Sequence, residues 1–249
     1  MSDFKPYFQD DSVTLYRGDS LRILSALPDA CVDAVITDPP YSTGAFTLAG
    51  KGAASSDKYQ KTGTKKYYPP VLGDSKDQRS FYRWAVLWLS ECWRLCQEGA
   101  PVLVFTDWRQ LPIVTDAVQG AGFHWRGVLV WHKASGRPML GEFRRDCEFI
   151  VYGCKGRFVP HSRTCFPGTY SYAVNHLLKN HMTAKPDALL RDLIQIVPPG
   201  GTVLDPFLGG GTTARAASAT GRKCLGIELS NEYTEIAVKS LQTAETIPA

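Results

Sequence analysis

An apolar run ends in one carboxylate, two prolines and an aromatic ring, in the stretch Val35-Ile36-Thr37-Asp38-Pro39-Pro40-Tyr41. A proline cannot donate a backbone hydrogen bond and has a fixed φ, so a strand must stop there and the chain leaves along a stiff, extended path. Asp38 and Tyr41 are therefore held at a rigid strand exit, where an acceptor oxygen and an aromatic ring can act on one bound group. The alternative is an ordinary turn, because Asp and Pro also favour turns for local reasons.

A glycine-rich loop near the C-terminus is the second stretch that indicates chemistry. It reads Leu204-Asp205-Pro206-Phe207-Leu208-Gly209-Gly210-Gly211-Thr212-Thr213-Ala214 and contains the pattern G-x-G-x-x-A. Glycines there let the backbone approach a ligand closely, and Glu228, at the end of the next predicted strand, can accept both hydroxyls of a ribose. The loop therefore predicts a cofactor that contains adenosine.

The nature of that cofactor follows from the residues around the glycines. The Gly-Lys-Ser/Thr of a phosphate-binding P-loop is missing from the loop. Asp205 precedes the glycines, where its charge would repel a pyrophosphate but would suit a cofactor that carries an ammonium and a sulfonium group. S-adenosylmethionine meets that description, and the dinucleotide of an oxidoreductase remains the alternative.

A parallel sheet would place both stretches at strand ends. Residues 13–16 and 32–37 have the composition of short strands, and the leucines of residues 20–27 have helical spacing. Strand, helix and strand in succession form the unit of a parallel sheet, which binds ligands at the carboxyl ends of its strands. The alternation continues, with strands predicted at 101–106, 124–131, 148–152 and 224–227 and helices at 80–98, 110–119 and 212–220. These elements predict a single sheet, mixed or parallel, with helices on both faces.

Length and composition fit one α/β domain. The chain has 249 residues, 44% of them apolar and 21% charged, which is ordinary for a globular protein. No apolar run approaches the length of a membrane span, and no basic start is followed by an apolar stretch, so we expect a cytoplasmic protein without a membrane partner. The seven cysteines are an odd number without a Cys-x-x-Cys pair, which predicts reduced thiols and no metal. A metal site of His161 and Cys165 with Cys147 and Cys154 is the alternative.

Basic side chains are concentrated in two regions, although the formal net charge is only +4. Residues 42–79 are rich in Gly, Ser, Thr and Lys without a sustained period, which predicts a mobile loop beside the site. The second region lies within residues 133–180. Basic side chains mixed with aromatic rings suit a polyanion with stackable bases, and a solvated surface is the alternative. The residues expected to contact nucleic acid are Lys58, Lys61, Lys65, Lys66, Arg137, Arg144, Arg145 and Arg157.

Together these motifs resemble the amino-group DNA methyltransferases, the family that methylates adenine N6 or cytosine N4. The resemblance rests on Asp38-Pro39-Pro40-Tyr41 and on the loop at 204–213, and the tetrapeptide precedes the loop, as in the β-class of that family. The stretches His181-Met182-Thr183-Ala184-Lys185-Pro186 and Arg17-Gly18-Asp19-Ser20 match family segments as well. The match spans roughly residues 13–240 in the right order.

The resemblance implies one methyltransferase domain over residues 1–249. It implies a doubly wound, mostly parallel seven-stranded sheet of the Rossmann-like methyltransferase type, with a mobile basic loop at about 42–79. A short target-recognition segment is expected at about 133–180, because many relatives place a longer region before the segment that begins at His181. This shortness argues against a conventional, long recognition domain.

The same resemblance implies transfer of a methyl group from S-adenosylmethionine to adenine N6 of a flipped-out base, with Asp38, Pro39, Pro40 and Tyr41 as the catalytic residues. An Asp38 oxygen and the Pro39 carbonyl would accept the two amino N–H groups, and Tyr41 would stack on the base. The family also implies that Glu228 binds the ribose, that Thr183 and Lys185 bind the methionine carboxylate, and that Asp19 contacts the adenosyl end. The implied cofactor-binding residues are Asp19, Thr183, Lys185, Asp205, Phe207, Gly209, Gly211, Thr212, Thr213 and Glu228.

Several alternatives stay open at this point. Cytosine N4 is the rival target, although a Ser in place of Asp38 would be more typical of it. RNA or a protein amide is a further rival substrate. A nucleic-acid-binding module without catalysis is the alternative of another class, and the intact tetrapeptide argues against it. DNA is the expected partner, and a homodimer is left open.

Overall fold

Strands and helices alternate along the parts of the chain that the computed structural model describes, residues 4–41, 76–133, 140–173 and 185–245. Those parts contain nine strands: β1 (Phe8–Gln9), β2 (Val13–Arg17), β3 (Ala34–Thr37), β4 (Pro101–Thr106), β5 (His124–His132), β6 (Cys147–Cys154), β7 (Thr169–Ser171), β8 (Thr202–Asp205) and β9 (Lys223–Glu228). They also contain six helices: α1 (Ser20–Ala26), α2 (Gln78–Leu95), α3 (Leu111–Gly120), α4 (Asp187–Ile194), α5 (Thr212–Ala219) and α6 (Asn231–Glu245).

All nine strands form one sheet, in the order β1-β2-β9-β8-β3-β4-β6-β5-β7. The strands β2, β9, β8, β3 and β4 are parallel to one another. Strand β1 is antiparallel to β2, and β6 is antiparallel to both of its neighbours, β4 and β5. The predicted α/β class is confirmed, but the predicted count of seven strands is wrong and the sheet is mixed. The additional strands β1 and β7 have two and three residues, which is too short for a periodic signal in the sequence.

Two apolar layers cover the two faces of the sheet, which confirms the doubly wound arrangement. Helices α1, α2 and α3 pack on one face, where Phe81 and Trp88 are fully buried. Helices α4, α5 and α6 pack on the other face around small and aliphatic side chains such as Ala217 and Leu190. Burial of large apolar side chains on both faces supplies the main driving force for this fold.

Helix α2 differs from its prediction at both ends. It begins at Gln78 rather than Ser80, because the Asp77 carboxylate accepts hydrogen bonds from the backbone N–H of Arg79 and Ser80, both at 3.1 Å. The predicted loop at 42–79 therefore ends in a capped helix, and its residues 42–75 lie outside the described part of the chain. At the other end the helix stops at Leu95, and Gly99 takes a left-handed φ of 83° in the turn before β4.

The carboxyl ends of the parallel strands meet at one edge of the sheet, here called the carboxyl edge. Thr37, Thr106, Asp205 and Glu228 are the last residues of β3, β4, β8 and β9. The antiparallel strand β6 begins at this edge, since Phe149 pairs with Thr106. Residues from five strands therefore converge in space although they are far apart in sequence.

No helix in the described ranges is long and apolar enough to cross a membrane. The seven cysteines, all of which the structure describes, are free thiols. Within those same ranges no three His, Cys, Asp or Glu side chains converge in a way that could hold a metal ion, so the alternative site around His161 does not form there.

Candidate active site

The tetrapeptide leaves the carboxyl edge directly after β3. Pro39 is buried, and Asp38, Pro40 and Tyr41 are partly buried. The Tyr41 hydroxyl donates a hydrogen bond to Oδ1 of Asp38. The Tyr41 carbonyl accepts a hydrogen bond of 2.9 Å from Nε2 of Gln110, which follows β4. The tetrapeptide is therefore fixed by hydrogen bonds at its first residue, Asp38, and at its last residue, Tyr41.

Lys185 lies at the centre of this site. Its Nζ atom donates to Oδ2 of Asp38 at 2.6 Å and lies 3.3 Å from Oε2 of Glu148. The other carboxylate oxygen of Glu148 accepts a hydrogen bond of 3.0 Å from Nζ of Lys133. Four side chains of alternating charge, Asp38, Lys185, Glu148 and Lys133, thus form a continuous row beneath the tetrapeptide.

Aromatic rings enclose the ammonium group of Lys185. Its Nζ atom lies 5.3 Å from the ring centroids of Tyr41 and Phe105 and 6.0 Å from that of Trp131. Only 7% of the Lys185 side chain is exposed. A cation against aromatic faces in a desolvated position is strongly held. The positive charge is therefore fixed between two carboxylates and three rings.

Burial and the row of charges shift the pKa values of its members. Burial raises the pKa of Asp38, and Glu148 adds to that rise while Lys185 opposes it. Burial favours the neutral form of Glu148, but Lys185 and Lys133 outweigh it and hold the pKa of Glu148 below its ordinary value. Burial also opposes the charge of Lys185, yet the two carboxylates keep its pKa above the ordinary value. Lys185 and Glu148 therefore form a stable ion pair, and the Lys185 ammonium group of that pair donates a hydrogen bond to Asp38.

The glycine-rich loop is joined to the tetrapeptide through Asp205, which is 2% exposed. Its Oδ1 atom accepts hydrogen bonds from Oγ1 of Thr37 at 2.7 Å and from the backbone N–H of Phe207 at 3.1 Å. Thr37 directly precedes Asp38, so the two motifs share one hydrogen-bonded junction between β3 and β8. Burial raises the pKa of Asp205 to about 6.

Glu228 lies on the other side of the same loop. Its two carboxylate oxygens accept backbone N–H groups, one from Gly209 at 2.8 Å and one from Ser230 at 2.7 Å. Gly209 and Gly211 have left-handed φ values of 54° and 84°, a backbone conformation that residues other than glycine rarely adopt. Burial raises the pKa of Glu228, although both N–H groups oppose the rise. The carboxylate is thus fixed in direction and keeps lone pairs for hydroxyl donors.

The remaining side chains of the loop have identifiable neighbours. Phe207 packs against Trp84 and Trp88, with ring centroids 5.2 and 5.1 Å away. Thr212 and Thr213 open α5, and Thr213 is buried beside Asp205. Asp19 caps α1 through Arg22 and is exposed, and the adjacent Gly18 donates to the carbonyl of Glu228 at 2.9 Å.

The donor set fits S-adenosylmethionine better than a phosphate-containing cofactor. Three carboxylates lie at the carboxyl ends of the adjacent strands β3, β8 and β9: Asp38 directly follows β3, and Asp205 and Glu228 are the last residues of β8 and β9. The loop at 204–213 between them contains no Lys or Arg. Such a cleft attracts a cationic ligand and repels phosphate.

Among the residues expected to contact nucleic acid, the structure brings two together at the carboxyl edge. Arg144 and Arg145 are exposed just before β6. Arg157 does not join them, because it follows the other end of β6 and its carbonyl lies beside Gly99, at the opposite edge of the sheet. The other expected residues, Lys58, Lys61, Lys65, Lys66 and Arg137, lie outside the described part of the chain, as does Thr183 of the cofactor set.

Sequence reasoning did not identify Glu148 or Gln110 as part of the site. A charged residue in the apolar strand at 148–152 was a usable signal for Glu148, since buried carboxylates need partners. Its position beside Lys185 depends on the antiparallel register of β6 with β4 and β5, which the sequence does not display. In its described residues, the expected recognition segment at 133–180 contains the strands β6 and β7.

Comparison with known proteins agrees with this geometry. The family model described as DNA methylase, which covers the N6 and N4 enzymes, matches residues 32–173 and 159–239. YubD of Escherichia coli strain K12, a protein named as a methylase, is 30% identical over 220 residues, which cover 87% of this chain and 85% of that protein.

Solved structures of proteins named as DNA methylases or methyltransferases share the fold. TTHA0409 of Thermus thermophilus, named as a DNA modification methylase and solved with S-adenosyl-L-methionine, superposes with a TM-score of 0.69 at 22% identity, covering 93% of this chain and 95% of that one. The cytosine-N4-specific PvuII DNA methyltransferase superposes with a TM-score of 0.73 at 16% identity, covering 98% and 95%. The chain belongs to the N6/N4 DNA methylase family and is an S-adenosylmethionine-dependent DNA methyltransferase.

Proposed function

We propose that the protein methylates adenine at N6 in DNA, on a base flipped out of the duplex. The observation that carries this proposal is the arrangement of Asp38 and Tyr41, which face one position at the carboxyl edge and are fixed by Lys185 and Gln110. An exposed, mobile tetrapeptide would not hold a base in one orientation.

The chemistry requires help at the amino nitrogen. The lone pair of an exocyclic amino group is delocalised into the ring, so the group is a poor nucleophile. We assign an Asp38 oxygen and the Pro39 carbonyl as acceptors for its two N–H groups, which turns the nitrogen toward tetrahedral geometry and frees the lone pair. When bound, S-adenosylmethionine supplies an activated methyl group on its sulfonium.

Removal of the target base from the duplex places it against Tyr41. Its ring is partly buried and tied through its hydroxyl to Asp38, so it offers a fixed stacking surface beside the acceptor. The two prolines keep the Pro39 carbonyl and this ring in one relation. We also assign Asp38 to accept the proton that leaves the methylated nitrogen, because burial improves it as a base by raising its pKa.

Lys185 can serve Asp38 and the cofactor at once. An ammonium group has three N–H donors, and here two are directed at Asp38 and Glu148. One donor is left for the methionine carboxylate that the resemblance assigns to Lys185 and Thr183. We further assign Glu228 to the ribose hydroxyls, Asp205, Phe207, Gly209, Gly211, Thr212 and Thr213 to the lining of the cofactor cleft, and Asp19 to its adenosyl end.

Cytosine N4 is the second candidate target. The structural similarity to the PvuII enzyme does not decide between the two targets, because a similarity at 16% sequence identity shows only that the two proteins share a fold. The aspartate at position 38 favours adenine, since a serine is more typical of the cytosine enzymes.

Digestion of methylated DNA to nucleosides separates the two targets. Duplex DNA from a host without methyltransferases is incubated with the protein and S-adenosylmethionine, digested and analysed by mass spectrometry. We expect N6-methyladenine, and N4-methylcytosine as the product would overturn the adenine assignment. Absence of any methylated base, with cofactor and DNA bound, would favour a binding module without catalysis. Sequencing of the modified DNA then gives the recognition site.

A further inference from the structure

Two apolar side chains project into solvent at the carboxyl edge. Leu140 and Phe143, in the connection from β5 to β6, are 102% and 95% exposed. Trp108, which follows β4 at the same edge, is 48% exposed. A single exposed hydrophobic residue is ordinary, but three large ones together at the rim of an active site indicate a binding surface.

Two arginines lie against the ring of Trp108. The guanidinium carbon of Arg109 lies 4.7 Å from the ring centroid of Trp108, and that of Arg145 lies 5.7 Å from it. The contact of Arg145 with Trp108 also joins the connection between β5 and β6 to the segment after β4. We call this set the wedge surface; it consists of Trp108, Arg109, Leu140, Phe143, Arg144 and Arg145.

The arginines of this surface outnumber its exposed carboxylates, although two of the arginines are paired with acidic groups. Glu142 is paired with Arg145 at 3.0 Å. Asp107 and Asp146 are turned inward, with only 13% and 18% of their side chains exposed. Oδ2 of Asp107 lies 3.8 Å from Nη1 of Arg109, and Asp146 lies 3.5 Å from His132. The exposed charge is therefore carried mainly by arginines, which bind phosphate groups through their planar donor fork.

The wedge surface is connected to the tetrapeptide through a short series of contacts. Oδ1 of Asp107, the neighbour of Trp108, accepts the backbone N–H of Gln110 at 2.9 Å. Nε2 of Gln110 in turn donates to the Tyr41 carbonyl at 2.9 Å. The surface and the proposed base-binding position thus share one rigid support.

Resting on the proposed function, we propose that the wedge surface grips duplex DNA during base flipping. Leu140 and Phe143 insert into the base stack at the place that the target base leaves, and Arg109, Arg144 and Arg145 hold the flanking phosphates. Flipping sacrifices stacking and pairing, and apolar side chains that enter the stack offset part of that loss. Apolar side chains on the same surface as arginines fit DNA, which presents apolar bases between phosphates.

The test compares Leu140→Ala/Phe143→Ala with the wild type on two substrates. Both carry the recognition site found by sequencing, one as a normal duplex and one with an abasic site opposite the target base, so that flipping breaks no pair. On the normal duplex we expect kcat/KM to fall at least about tenfold. On the abasic duplex the loss should shrink to less than about threefold, because flipping is easier there.

A matched control changes exposed apolar residues away from the wedge. Leu87→Ala/Val159→Ala removes side chains that are 57% and 72% exposed, and it should leave kcat/KM unchanged on both substrates. Melting temperature and cofactor affinity, measured for every variant, should also stay unchanged.

Three results overturn the wedge. The first is an unchanged rate for the Leu140/Phe143 variant on the normal duplex, and the second is an equal loss of rate on both duplexes. The third is a variant that sediments as a monomer where the wild type is a dimer, because the surface would then be a subunit interface. Failure of the wild type to methylate either duplex would instead contradict the proposed function, so the two failures are distinguishable.

Discussion

The ammonium group of Lys185 lies 2.6 Å from Oδ2 of Asp38, although 147 residues separate the two in sequence. Lys185 precedes α4, whereas Asp38 follows β3, so the contact joins the segment expected to meet the cofactor to the expected reaction centre. Glu148 holds the opposite side of the same ammonium group. We interpret Lys185 and Glu148 as positioning residues that set both the direction and the pKa of the Asp38 carboxylate.

Replacement of Lys185 by Met should shift the pH dependence of methylation. Lys185 is the cation that opposes the rise in the pKa of Asp38, so its loss raises that pKa further and moves the acid limb of the rate profile to higher pH. Asp38 is then left without a cation, whereas Glu148 keeps Lys133, and stability should fall by about 3 kcal/mol. The pH profile of kcat and the melting temperature check both effects. A lower rate with an unmoved acid limb would contradict the role of Lys185 in setting the pKa of Asp38.

Replacement of Glu148 by Gln should move the same limb in the opposite direction. The negative charge of Glu148 helps to raise the pKa of Asp38, so the neutral amide lowers it and the acid limb shifts to lower pH. We expect kcat to decrease several-fold, because Lys185 loses one of its two anchors. Glu98→Gln, an exposed carboxylate at the opposite edge, is the matched control and should leave the profile unchanged. If the acid limb of Glu148→Gln moved to higher pH, as expected for Lys185→Met, the opposing effects of Glu148 and Lys185 on the pKa of Asp38 would be contradicted.

Asp205→Asn should separate stability from cofactor binding. The pKa of Asp205 in the folded protein is about 6, above the ordinary value of 3.8, so folding favours its protonated form. Its contribution to stability is fully present below about pH 4 and is lost as the pH rises through about 6. The variant without ligand should therefore melt at a higher temperature than the wild type at pH 8, with the difference vanishing at pH 4.

The same substitution should weaken S-adenosylmethionine, because the amide lacks the charge that meets a cationic ligand. Calorimetry at pH 8 should show the loss, and the affinity of the wild type should decline as the pH falls through about 6. Equal affinity of variant and wild type at pH 8 would remove Asp205 from the cofactor site.

Arginines at the two edges of the sheet should respond differently to salt. If Arg144 and Arg145 contact phosphates, Arg144→Ala/Arg145→Ala flattens the salt dependence of DNA affinity by up to ~0.9 per lost contact. Arg157→Ala, at the opposite edge, is the control and should keep the slope of the wild type. Titrations of labelled DNA over a range of salt concentrations give the slopes. A flattened slope for Arg157→Ala alone would place the DNA on the other edge.

Much of this fold follows from local patterns. Strand β4 lies at residues 101–106 as predicted, because all six residues are buried and the first five form an uninterrupted apolar run. Glu228 ends β9 where the cofactor pattern requires a carboxylate. The sequence patterns do not predict the short edge strands β1 and β7 or the helix α6. Strands of two or three residues are too short to show a hydrophobic period.

The centre of the site depends on pairing between distant segments. Lys185 was assigned to the cofactor from its motif, whereas its place between Asp38 and Glu148 follows from strand register. Gln110 was part of a predicted helix, and its bond to the Tyr41 carbonyl requires β3 and β4 to be neighbours. Local sequence therefore indicates which groups take part, while the sheet decides which groups meet.

The most direct test of the reaction centre is the rate of methyl transfer by Asp38→Ala, with DNA and S-adenosylmethionine both saturating. The variant lacks the acceptor for the amino group but keeps Asp205, Glu228 and the glycine loop. We predict that it binds the cofactor nearly as well as the wild type and forms almost no N6-methyladenine. Retention of more than about a tenth of the wild-type rate, a loss of only ~1.4 kcal/mol in transition-state stabilisation, would contradict the role of Asp38.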